Sequence, residues 1–109
     1  MYPASNALKP TAGQLKNYQA AKENYEAALL TGNQNQINKA KESLDKAISA
    51  IGVTRVAENV QKVVSADGSV AYFNYETTTV LVPVKTDAQT GVTEYQVIAA
   101  QSYVIYTAN

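Results

Sequence analysis

The 109-residue chain carries nine Lys or Arg and nine Asp or Glu, so its net charge is zero. Charged residues make up only 17% of it, against a usual figure of about 25%. It has no Cys and no His, which excludes disulfides and thiolate metal sites and removes the usual general base and the commonest transition-metal ligand.

A neutral surface exerts no long-range pull on nucleic acid or anionic membrane and gives copies of the chain little mutual repulsion. The stretch from Met1 to Gly52 holds six Lys against four acids, and the remainder three bases against five acids. At 11.7 kDa the chain fits one domain that buries roughly two-thirds of its unfolded surface. The segment Met-Tyr-Pro-Ala-Ser-Asn lacks the basic and apolar regions of a secretory signal. No apolar run approaches the ~18 residues of a transmembrane helix. The expectation is a protein made in the cytoplasm without a signal peptide.

Residues 1–10 contain two prolines and no apolar period, so they read as an extended arm, either a frayed terminus or an arm that docks on a neighbour with Tyr2 and Leu8 as its anchors. The remainder, 11–109, reads as a single α+β domain with a helical hairpin over 11–52 and a β-rich part over 53–109. Thr11-Ala12-Gly13-Gln14 fits a capping box, and Leu15, Tyr18, Ala21, Tyr25, Ala28 and Leu29 form one apolar stripe behind it. Gly32 suits the left-handed position that closes a helix. Asn33 or Asn35 caps a second helix, whose stripe is Ile37, Ala40, Leu44, Ala47, Ile48 and Ile51, with Gly52 as its expected stop. A loop this short makes the helices antiparallel.

Val53 to Ser65 fits a helical period but is rich in β-branched valine; we read 54–59 as a turn or short helix and 60–64 as a strand. Asp67-Gly68 then signals a hairpin. A long strand is expected from Val70 towards Lys85, bent or broken around Glu76 to Thr78, with Pro83 on an edge or at a bulge. Asp87 to Gly91 supplies a second hairpin loop. The last segment, Val92 to Thr107, carries a kink at Ala99-Ala100-Gln101. The fold expected is thus α+β: an N-terminal antiparallel helical hairpin packed on a C-terminal antiparallel sheet of about four strands.

Few residues suit chemistry. Ser43 and Lys46 form a Ser-x-x-Lys string, and Glu23 and Glu26 lie one helical turn apart, but both pairs flank apolar stripes as solvated helix faces do. Asp67 and Asp87 are explained by turn chemistry, because neither loop has the spaced carboxylates of a calcium site. The five glycines are scattered singly, so there is no phosphate-binding loop, and Arg55 and Lys62 are too few for a nucleic-acid footprint. No catalytic residue, cofactor or metal is expected, and no nucleic-acid or membrane partner.

Eight Tyr beside one Phe and no Trp is an uneven aromatic content. Tyr buries a ring while its hydroxyl stays hydrogen-bonded, which suits interfaces. Tyr18 and Tyr25 belong to the helical stripe. Tyr72, Tyr75, Tyr95, Tyr103 and Tyr106, with Val80, Val82, Pro83 and Val84, lie in β segments that have no clean polar face. Together with Tyr2 and Leu8 they are the candidate protein interface. In composition and layout the chain resembles small accessory proteins of tailed-phage virions, such as capsid cement or decoration proteins and head–tail components. The resemblance implies a non-enzymatic structural protein, incorporated in a virion, whose partner is itself in a homo-oligomer, a larger scaffold such as a capsid protein, or both. The alternative is a Tyr-rich module for a carbohydrate or peptide. A third reading is an adaptor whose helical hairpin docks on a partner helix.

Overall fold

The computed structural model describes residues 2–4 and 6–107, with Tyr2 and Thr54 described by their backbone alone. The chain is α+β and divides into two compact units, Pro10–Arg55 and a β-rich unit made of Met1–Lys9 and Val56–Asn109.

The first unit is an antiparallel helical hairpin of α1 (Ala12–Thr31) and α2 (Gln34–Thr54). The capping box forms as its residues require: the Thr11 hydroxyl accepts from the Gln14 amide at 3.1 Å, and the Gln14 side chain accepts from the Thr11 amide at 3.0 Å. Gly32 takes φ 68° and closes α1. Asn33 caps α2, its Oδ1 accepting from the amides of Asn35 and Gln36. Tyr18, Tyr25, Ala28, Ala40, Leu44 and Ile51 are buried. The expected stop at Gly52 is corrected. A glycine ends a helix by turning left-handed, and Gly52 does not; α2 runs on until Arg55 adopts an extended backbone and donates to the Ile51 carbonyl.

In the second unit, β1 (Tyr2–Pro3), β2 (Val60–Val64), β3 (Val70–Asn74) and β6 (Tyr103–Tyr106) form an antiparallel sheet in the order β1-β2-β3-β6. A separate antiparallel pair joins β4 (Val80–Thr86) to β5 (Thr93–Ile98). The strand expected from Val70 towards Lys85 breaks around Glu76 to Thr78 as expected, parted at residues 75–79, and its two parts lie in two different sheets. The final segment likewise splits, at Ala99 to Ser102, with Gln101 at φ 53°. Both hairpin loops form as their acids and glycines dictate. Asp67 accepts from the amide and hydroxyl of Ser69 beside Gly68, and Asp87 accepts from the amides of Gln89 and Thr90 before Gly91.

The two sheets cover each other. Val60 and Tyr72 from the larger sheet, Val80 and Val82 from β4 and Ile98 from β5 form one core cluster, with Val70, Val84, Val104 and Tyr106 packed against it. The N-terminal arm laces both sheets. Ala4 donates to Val60, Ala57 to Ala7, and Leu8 exchanges two backbone bonds with Leu81 at 2.8 and 2.7 Å. Ala4, Ala7 and Leu8 are buried, so the arm is a structural part of its own chain. Because Leu81 turns its backbone towards Leu8, the alternation of a strand places the missing amide of Pro83 on that same side. The register also shifts between Pro83 and Lys85. Pro83 thus sits at both an edge and an irregularity, the two places a strand tolerates it.

Candidate functional site: an uncharged aromatic sheet face

The register of the larger sheet decides which side chains share a face. Gln61, Phe73 and Tyr103 stand opposite one another, as do Val63, Ala71 and Ile105. Lys62, Tyr72 and Val104 stand opposite one another on the other face, which carries the core residues Val60, Tyr72 and Val104. The first face therefore points outwards. Tyr103 is 61% exposed, Ile105 64% and Tyr75, just past β3, 55%. The Phe73 ring stacks on Tyr103 at 5.6 Å between centroids and on Tyr75 at 6.5 Å. No charged side chain stands on this face at any paired position from residue 61 to 63, 71 to 73 or 103 to 105. Next to the rings lies an open depression of about 260 Å³ lined by Phe73, Tyr75, Gln101, Ser102 and Tyr103.

A buried polar staple holds this face in position. Asn74, 1% exposed, ends β3. Its Nδ2 donates to the carbonyls of Thr78 (3.0 Å), Ile98 (3.2 Å) and Ala99 (3.0 Å), and its Oδ1 accepts from the Glu76 amide at 2.8 Å. One side chain thereby ties β3, the β3–β4 connection and the end of β5. Glu76 continues the staple: its Oε2 accepts from the amides of Glu58 and Asn59, both at 3.0 Å, and its Oε1 lies 3.8 Å from the Lys9 ammonium. The Asn59 amide, then the Glu58 amide and Lys9, hold the Glu76 carboxyl below the usual carboxylate range against the opposing effect of burial.

A depressed carboxyl pKa contributes stability above its unfolded value and loses it as pH falls through the folded one. Glu76→Gln should accordingly cost about 1 kcal/mol at pH 7, where an amide oxygen replaces a charged acceptor. That difference should shrink towards zero as the pH drops below the carboxylate range. Urea unfolding of both proteins across the pH range measures it.

Of the sequence-predicted interface, the structure brings Tyr75 and Tyr103 together on the exposed face. Leu8, Tyr72, Val80 and Val82 are buried in the chain's own core, because the second sheet covers what a single sheet would leave open. Pro83, Val84, Tyr95 and Tyr106 are half-buried; burial raises the Tyr95 pKa. The side chain of Tyr2 lies outside the described residues. Phe73 and Ile105 are additional members of the face, and strand register was the signal that groups them. Ser43 and Lys46 are exposed on α2, and Glu23 and Glu26 on α1. Among the described residues no three Asp or Glu side chains converge as metal ligands would, and no helix is long and apolar enough to cross a membrane. Comparison of the chain with protein-family models, with curated proteins and with solved structures gives no match.

Proposed function

We propose that this chain is a non-enzymatic assembly protein that works by protein–protein contact through the outer face of its four-stranded sheet. The observation that supports this is an exposed, uncharged face on which Phe73, Tyr75 and Tyr103 stack beside Ile105. Contiguous exposed apolar side chains mark interaction surfaces, and aromatic residues supply most of the anchors at such surfaces. A partner of like neutrality, either another copy or a larger scaffold, suits it. Incorporation in a virion as a cement, decoration or head–tail component is the setting proposed for such contacts, on the strength of the small size, neutral surface and lack of His and Cys.

Light scattering over a concentration series tests the reading in its simplest form, self-association. The mass should exceed the 11.7 kDa of one chain. Tyr75→Lys with Tyr103→Lys should return it to one chain, weakening association about a hundredfold if each buried charge costs at least ~1.4 kcal/mol. A mass that stays at one chain to the limit of solubility, and that is unaffected by the double change, overturns self-association. The depression beside the rings, with the Gln101 amide and Ser102 hydroxyl at its rim, favours a second reading, a module for a carbohydrate or peptide. A monomer whose Tyr75 and Tyr103 resonances shift on titration with oligosaccharide would support that reading instead.

A further inference from the structure

Resting on the assembly reading, we infer that two copies join by antiparallel pairing of β6 with β6 of the second copy, across a twofold axis at Val104. The larger sheet ends at β6, and no strand among the described residues pairs with its outer side. Which backbone groups face outwards follows from the ladder. The Asn74 amide bonds the Ser102 carbonyl, and the Tyr75 amide bonds the Asn59 carbonyl. Alternation then turns Tyr72 and Val70 towards Val104 and Tyr106 of β6, and leaves the amides and carbonyls of Tyr103 and Ile105 pointing away from β3.

Those four groups are self-complementary. With Val104 opposite Val104 of the second copy, Tyr103 of each chain stands opposite Ile105 of the other, and four backbone hydrogen bonds close. The same register places an aromatic ring directly across from a β-branched side chain twice, a favourable cross-strand pairing. The Phe73–Tyr103 stack of one copy then continues into the Ile105 of the next. Charge is compatible as well, since Tyr103-Val104-Ile105-Tyr106 holds no Asp, Glu, Lys or Arg.

The other edges are defended and this one is not. At the opposite end of the sheet β1 has two residues, one of them Pro3. On the smaller sheet β5 carries the charged Glu94, and the arm lies along β4 at Leu81. Short strands, prolines and charges are the devices by which proteins blunt a sheet edge. β6 has neither proline nor charge, and its two outward side chains are exposed.

The test uses the absence of native cysteine in the full chain. In this register the two Val104 residues form a non-hydrogen-bonded pair, with Cα atoms about 4.5 Å apart, inside the range a disulfide spans. Val104→Cys should therefore oxidise to a covalent dimer at least tenfold faster than Thr90→Cys, a control on the exposed β4–β5 loop. Ile105→Pro removes an amide that bonds nothing within β3–β6, so it should leave the circular dichroism spectrum of the folded chain in place while weakening association tenfold or more. An oligomer by mass in which Val104→Cys cross-links no faster than the control overturns edge pairing and leaves the assembly reading to another surface. A chain that stays monomeric overturns edge pairing and self-association together, and leaves the assembly reading to a larger scaffold. Should Ile105→Pro fail to fold, the cysteine rates decide alone.

Discussion

Asn74→Asp should destabilise the β-rich unit by about 4 kcal/mol at neutral pH and recover part of that loss in acid. The change is isosteric, so packing is untouched and the effect isolates the hydrogen-bond pattern. Three carbonyls, of Thr78, Ile98 and Ala99, converge on Nδ2, while Oδ1 accepts one amide. That arrangement also settles which end of the side chain is the nitrogen, since only a donor satisfies three acceptors. A carboxylate keeps the bond from the Glu76 amide but turns an anionic oxygen towards three lone-pair dipoles, in a site that is 1% exposed. Protonation is the way out, so the folded-state pKa of the new Asp must rise above its unfolded value of about 4. With a raised folded pKa, stability is highest below the unfolded pKa and is lost as pH rises through the folded one. Recovery in acid is partial because one O–H replaces two N–H donors. Asn74→Ala should instead cost about 3 kcal/mol with no such pH dependence, since it leaves the same carbonyls unpaired without adding charge. Equilibrium unfolding of the three proteins between pH 3 and pH 8, on the order of that range of carboxyl titration, distinguishes them. Parallel pH profiles for Asp and Ala would show that the buried carbonyls do not control this site.

The features legible in the sequence are those decided by neighbouring residues. The Thr11–Gln14 capping box, the Gly32 closure, the Asn33 cap and the Asp67 and Asp87 turns each depend on side chains within four positions of the backbone they satisfy. They form as read. The partition of the β segments between two sheets was not legible, because it is set by pairings between residues distant in the chain. Read along the chain, Val80 and Val82 continue the segment of Tyr72 and Phe73. In the fold they lie across the core from Tyr72, while Phe73 turns to the outer face, so the core side of this run needs no second chain to cover it. What a partner can reach is narrower: the Phe73, Tyr75, Tyr103 and Ile105 face. The staple was hidden for a related reason. Asn74 is a lone polar residue between Phe73 and Tyr75, and its alternation places it on the inner face. That position signals a buried amide only once the β3–β4 break beside it is known, because the break supplies the carbonyls it satisfies.

Leu8→Pro should cost the β-rich unit about 4 kcal/mol, and Leu8→Ala about 2–3 kcal/mol. Both alter a side chain that is 7% exposed, alanine losing more of its carbon than proline, but only proline removes the amide that bonds the Leu81 carbonyl at 2.8 Å. The gap between the two variants therefore measures the backbone bridge itself. This matters because the arm contributes little surface yet closes several exposed backbone groups at once: Ala4 bonds Val60, Ala7 bonds Ala57, and Leu8 bonds Leu81 in both directions. Without the bridge the β4 edge at Leu81 opens, and Leu81 is among the most deeply buried residues of the chain. Hydrogen exchange at the Leu81 amide, which the Leu8 carbonyl accepts at 2.7 Å, gives a local readout. In Leu8→Pro its protection should fall by more than the global loss of stability accounts for, while in Leu8→Ala it should fall only in step with that loss. Equal, purely global changes in the two variants would mean that the arm is held by its side chains and that its strand-like bonds to β4 are incidental.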